Sequence, residues 1–209
     1  MNRGSYGNLI APVIIALLLI MLPQVVAASG DISSDEYSDF YMQSLSLKNN
    51  GMMVLGGWAV ANIATGAYGW SKTTGEWERF HQMNLFWNLV NLSIAGIAIY
   101  SNINNETAGL TAEEMMREHM RTERILLINA GLDVLYMGGG FLMRHLSHGS
   151  KHSDLLKGYG NSVIMQGAFL FLFDLVLYGV LSSHRTQFLT QIEPIVSPEM
   201  AGLSLTIPF

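Results

Sequence analysis

Two aspartates and a row of asparagines are the residues of this chain whose placement points most directly to chemistry. His81, Asn84, Asn88 and Asn91 follow one another at spacings of three, four and three, which puts all four on one face of a helix. Three other apolar stretches hold similar groups: Asn62 with Trp58 one turn before it, Asn129 with Asp133 one turn after it, and Gln166 with Asp174 and Tyr178. Lipid cannot satisfy such side chains, so if these stretches cross a membrane they should face inward and meet. Asp133 and Asp174 fall near the middle of their stretches, with no Lys or Arg at that depth. An isolated carboxylate there costs several kcal/mol, so one or both are expected to hold a proton or a cation. The chemistry this suggests is binding of a small ligand, an ion or a partner helix in a polar core. The alternative is proton-coupled transport with Asp133 or Asp174 as carrier, which in so small a bundle calls for a homodimer. The plainest reading is an interhelical network that fixes packing, each bond worth about 0.6 kcal/mol.

Histidine is the second source of chemistry. His145, His148 and His152 form H-x2-H-x3-H, and His81 opens its stretch at the same end of the bundle. Four imidazoles suit a divalent metal, and opposed ones suit haem, which would make a membrane redox protein. Gly149 interrupts the run, so no metal or cofactor is assigned. His81, beside Arg79, also continues the asparagine row and fits a proton relay. The chain has no cysteine, which removes disulfides, thiolate zinc sites and cysteine-held clusters. No G-x-S-x-G occurs, and Gly138-Gly139-Gly140 lacks the lysine of a phosphate loop. The balance is against an enzyme, and no catalytic residue is named.

The elements that must position these groups are four stretches nearly free of charge: 52–70, 83–101, 125–143 and 161–183. Each has about the 20 residues an α-helix needs to cross a bilayer. Only 13% of the 209 residues are charged, against about 25% in a soluble domain. A soluble bundle would need a charged outer stripe that none of the four shows. The expected fold is therefore all-α, an integral membrane antiparallel four-helix bundle. The net charge of −5 leaves no basic field for nucleic acid. Ahead of the bundle, Arg3, the apolar run Ala11–Leu22 and Val26-Ala27-Ala28 read as a signal peptide over 1–28. Residues 29–50 then read as an extracytoplasmic amphipathic helix ended by Asn50-Gly51, residues 51–183 as the four-span domain, and 184–209 as an extended outer tail. Pro194, Pro198 and Pro208 argue against helix there, and Leu203, Leu205, Ile207 and Phe209 alternate. Basic residues divide evenly between the two sides, so orientation rests on the N-terminal segment. Thr111-Ala112-Glu113-Glu114 is a capping box that should start a helix running unbroken into the third span. Gly57, Ala61, Thr65 and Gly69 are expected to form a close-packing ridge. The tandem of two hairpins also hints at an internal repeat with the polar site between its halves.

Certain residues also carry a resemblance. Gly56-Gly57-Trp58 with Asn62 and Gly66, Phe80-His81-Gln82-Met83-Asn84 with Trp87-Asn88, Asn129-Ala130-Gly131-Leu132-Asp133, and Gln166-Gly167 with Phe173-Asp174 resemble a family of uncharacterised bacterial multi-pass membrane proteins. The resemblance covers about residues 50–183. It supports the four-span reading and brings no activity or catalytic residue; with the N-terminal segment setting the direction, the bundle is expected in the bacterial inner, cytoplasmic membrane with the C-terminus outside.

Overall fold

A computed structural model of the chain describes residues 34–104 and 109–196. Among these, residues 32–194 belong to one compact unit. The described residues form four helices and no strand: α1 Ser34–Lys72, α2 Gly75–Ile103, α3 Ala112–Leu146 and α4 Ser153–Val196. The signal-like segment 1–28 and the alternating end of the tail lie outside the described residues.

The helices alternate in direction. Asn62 meets Asn84 and Asn49 meets Asn102, so α1 and α2 run antiparallel. Glu76 meets Asn161 and Asn84 meets Gln166, so α2 and α4 run parallel. Gly140 faces Gly160 while His119 reaches Leu181, so α3 opposes α4. Local chemistry sets the turns. Only Thr73 and Thr74 separate α1 from α2, with both the amide and the hydroxyl of Thr73 bonding the Gly69 carbonyl. Gly75 then takes φ +63°, a value that glycine accommodates best. Thr111 and Glu114 close the expected capping box at the start of α3.

Two boundaries differ from the sequence reading. Asn50-Gly51 does not end a helix, and α1 passes straight through it. The missing side chain at Gly51 serves packing instead, since a Cβ there would meet Leu177 at 2.8 Å. At the other end α4 continues to Val196, so the first part of the supposed extended tail is helix.

The buried residues of α1 are Phe40, Tyr41, Ser44, Leu45, Lys48, Leu55, Ala59, Asn62, Gly66 and Gly69. From Leu55 onward the steps alternate four and three, the period of bundles whose helices pack knobs into holes. The predicted ridge is therefore displaced. Gly57, Ala61 and Thr65 lie away from the seam, with nothing within 4 Å of a Cβ at Gly57, and only Gly69 is buried. Steps of four alone drift by about 40° each around a helix of 3.6 residues per turn. The clusters of large buried apolar side chains all sit in the half nearest the start of α1. They comprise Phe40 with Phe188 and Ile192, Tyr41 with Leu45 and Met115, and Leu126 with Leu177 and Leu181. The middle of the bundle is filled differently.

Candidate functional site

That middle is polar. Asn62, Asn84, Asn88, Asn91 and Gln166 are all buried, Asn88 and Gln166 completely. Trp58 Nε1 donates to Gln166 Oε1 at 3.0 Å, and its ring stacks on Phe169 with centroids 3.9 Å apart. The Gln166 amide donates in turn to Asn84 Oδ1. Asn84 Nδ2 donates to the Asn62 carbonyl at 3.2 Å, and Asn62 Nδ2 returns to the Trp58 carbonyl at 2.8 Å. Along α2, Asn88 donates to the Asn84 carbonyl at 2.8 Å and Asn91 to Asn88 Oδ1 at 3.4 Å. The network ties α1, α2 and α4 together. Its amides use one another as donors and acceptors, so it stands largely satisfied as it is.

The carboxyls form the unsatisfied part. Asp133 on α3 and Asp174 on α4 are buried, at 3% and 6% exposure. They lie within hydrogen-bonding reach of each other. Two facing carboxyls away from water favour a shared proton or a cation over a pair of bare charges. No donor among the described residues reaches Asp133 Oδ2. Asn91 lies seven residues beyond Asn84, and Asp174 eight beyond Gln166. On parallel helices these are rises of about 10 and 12 Å, so the pair sits level with the end of the asparagine row.

The other predicted residues are placed apart. Asn129 is exposed on the outside of α3 and takes no part in the inward network. It lies about one turn from Arg124, near enough to the charged end of α3 to be solvated. His81 packs its ring against Gly69, where even a methyl group would collide, and its Nδ1 is buried without a partner. His145, His148 and His152 are exposed, with His148 Nδ1 bonded to the His145 carbonyl and their rings 6.3 Å apart. His81 does not join them, and among the described residues no three His, Asp or Glu gather as metal ligands.

A second polar cluster was absent from the sequence reading. His119 is fully buried, with Nδ1 2.8 Å from Ser44 Oγ and Nε2 3.1 Å from Glu123 Oε1 and 3.2 Å from the Leu181 carbonyl. Arg185 Nε donates to both Glu123 oxygens, at 3.0 and 3.2 Å. Burial pushes the Glu123 carboxyl up, but the bonds from His119 and Arg185 outweigh it, and its pKa lies below the ordinary value. The residue types are those of a serine–histidine–acid triad, yet the site is sealed. Ser44 has no exposed surface and bonds the Phe40 carbonyl at 2.9 Å, so no substrate reaches its oxygen. The cluster clamps α1, α3 and α4 together.

Lys48 lies in the same half of the bundle, 8% exposed, with its ammonium 5.7 Å from the centre of the Tyr41 ring. Burial lowers its pKa, and Glu118 only partly opposes this. A lysine with a lowered folded pKa releases protons on folding, so stability should rise with pH up to its ordinary value of 10.5. Lys48→Met is expected to stabilise the protein by about 1 kcal/mol, or roughly 2–4 °C in thermal midpoint, and to flatten that rise. A lower midpoint for the variant at pH 7 would contradict the account.

The fold and its centre define a class: a four-helix bundle with a greasy outside and a hydrogen-bonded polar interior. The chain matches the model of a family of unknown function, DUF6992, over residues 54–175, more than half its length, and it belongs to that family. The matched stretch contains the whole amide network and both aspartates. It leaves out Ser44, Lys48 and Arg185. No curated protein and no solved structure matches the chain.

Proposed function

We propose that this is an integral membrane protein whose paired carboxyls, Asp133 and Asp174, hold an exchangeable proton or small cation inside the bilayer. One observation carries the reading, an inverted polarity. Asn84, Asn88, Gln166, Asp133 and Asp174 are buried, while Val90, Ile94, Ile97, Val134, Leu135, Leu172 and Val176 are exposed at 49–69%. Water does not favour that arrangement, and lipid does. α2, α3 and α4 are each long and apolar enough to cross a membrane. α1 falls outside that group, but residues 49–71 carry no charge and α1 is paired with α2 from Asn49–Asn102 to Gly69–His81. A helix matched to a spanning neighbour along its length shares its depth. Among the exposed aromatics, Tyr68, Trp70 and Trp77 sit toward one end and Tyr100 toward the other, as at membrane interfaces, with Phe86 and Tyr136 between them.

Infrared spectra of purified protein test the site. The wild type should show a protonated carboxyl band or a sodium-dependent carboxylate shift. Both Asp133→Asn and Asp174→Asn should lose it while retaining helix content. Identical spectra in all three proteins would reject the carboxyl site. Orientation extends the proposal. With a bacterial signal peptide over 1–28 removed, the start of α1 and the C-terminus lie outside the inner membrane. The chain has no cysteine, so single cysteines can report it. Glu113→Cys should react with an impermeant maleimide on intact cells, and Ser150→Cys only after lysis. The opposite pattern would invert the topology.

A further inference from the structure

We propose that the groove between α1 and the outer part of α4 seats one phospholipid with a zwitterionic head whose ammonium is primary and can donate hydrogen bonds. The proposal rests on the membrane-spanning reading. The groove, of about 550 Å³, is lined by Leu47, Val176, Gly179, Val180, Ser183, His184 and Gln187, and that volume is in the range of small-ligand sites. Its polarity is graded along α4. Val176 and Val180, with Leu47 opposite, lie toward the middle of the bundle. Ser183, His184 and Gln187 lie toward the level of Glu123 and Arg185, where the charged end begins. An amphiphile entering from the outer leaflet has that same gradient, chain inward and head outward. Gly179 leaves the floor open, with nothing within 4 Å of where its Cβ would be.

The upper half offers both kinds of hydrogen bond. Ser183 Oγ accepts from Gln187 Nε2 at 3.5 Å, and among the described residues no acceptor takes its own hydrogen. His184 Nε2 faces the Phe40 carbonyl at 3.2 Å, so that nitrogen donates, and among the described residues no hydrogen bond occupies Nδ1, which is then an acceptor. Among the described residues no donor takes up the Gln187 carbonyl oxygen. The hydroxyl suits a phosphate oxygen, while the imidazole nitrogen and amide oxygen suit an ammonium. No Lys, Arg, Asp or Glu lines the groove, so a head bearing only negative charge finds no countercharge there. Phosphatidylethanolamine has the required pairing.

The test is photo-labelling in phosphatidylcholine nanodiscs doped with phosphatidylethanolamine or phosphatidylglycerol, each carrying a diazirine on one acyl chain. The ethanolamine lipid should label peptides spanning 176–187 at least about fivefold more than the glycerol lipid. Gly179→Leu, which fills the floor, should cut that labelling by at least about fivefold without lowering the thermal midpoint. Gly96→Leu, at another open helix position, should leave it unchanged. Equal labelling by the two lipids, equal labelling in all three proteins, or labelling spread evenly over the helices would overturn the lipid seat. If carbonate washing releases the protein from native membranes, the membrane-spanning reading falls as well; retention with even labelling rejects the groove alone.

Discussion

Replacing Arg185 with methionine is expected to cost the protein about 3–5 kcal/mol, seen as a fall in thermal midpoint of roughly 10 °C. The guanidinium holds both oxygens of Glu123, whose side chain is only 8% exposed, and its removal strands a carboxylate between three helices. Most of the penalty is the orphaned charge, so adding Glu123→Gln to Arg185→Met should recover much of it. The pH dependence has a definite sign. A glutamate with a lowered folded pKa stabilises above its ordinary value of 4.5, and that stability is lost as pH falls through the folded value. In the single variant burial is less opposed and the stranded carboxyl takes a proton more readily, so this acid loss should shrink or reverse and the gap to wild type should narrow as pH falls. Equilibrium unfolding in detergent from about pH 7 down to 3 reads both effects, and a variant within experimental error of wild type would show that the clamp carries little.

The second large effect is expected from Gly158→Ala. A methyl at that position would press on the Glu76 carbonyl and sit 2.7 Å from both the Arg79 Cβ and the Phe80 nitrogen. Backbone cannot step aside as a side-chain tip can, so α2 and α4 must separate. That strains the Asn161–Glu76 and Tyr159–Gln82 bonds as well. A loss of about 3 kcal/mol or more is expected. Gly96→Ala, where nothing lies within 4 Å, should instead be neutral or gain up to about 1 kcal/mol in helix propensity. Similar thermal midpoints for the two variants would refute the close approach.

How much of this was legible in the sequence depends on which helix is asked. The row Asn84, Asn88, Asn91 was readable because its three-and-four spacing is the seam spacing, and polar residues on a seam have nowhere else to point. Asp133, Gln166 and Asp174 followed by the same logic. Asn129 misled because one turn from a charged end a polar side chain reaches water without facing inward. His119 and Glu123 stayed hidden inside a run of alternating charge, Glu113 to Arg124, that reads as a solvated face. Much of that run is solvated, with Arg117 and Arg121 making exposed ion pairs. The missing signal was helix length. α1, α3 and α4 have 39, 35 and 44 residues against 29 in α2, so they pack on each other beyond the uncharged stretches. Reading the chain as segments that stop at a bilayer surface turned Ser44 and Lys48 into a separate surface helix and Arg185 into a tail.

The two ends of α4 grip their neighbours by different means. Near Gly158 and Gly160, backbone lies on backbone with no intervening side chain. Near Leu181 and Arg185, contact runs through the long arms of His119, Glu123 and Arg185. Main chain pressed on main chain has almost no slack, whereas a four-atom side chain can turn about several bonds and keep its partner. The separation of α4 from α2 and α3 is therefore expected to be held most tightly at the glycine end. Any opening is widest at the histidine end, and the carboxyl pair, between the two, feels a fraction of every such excursion.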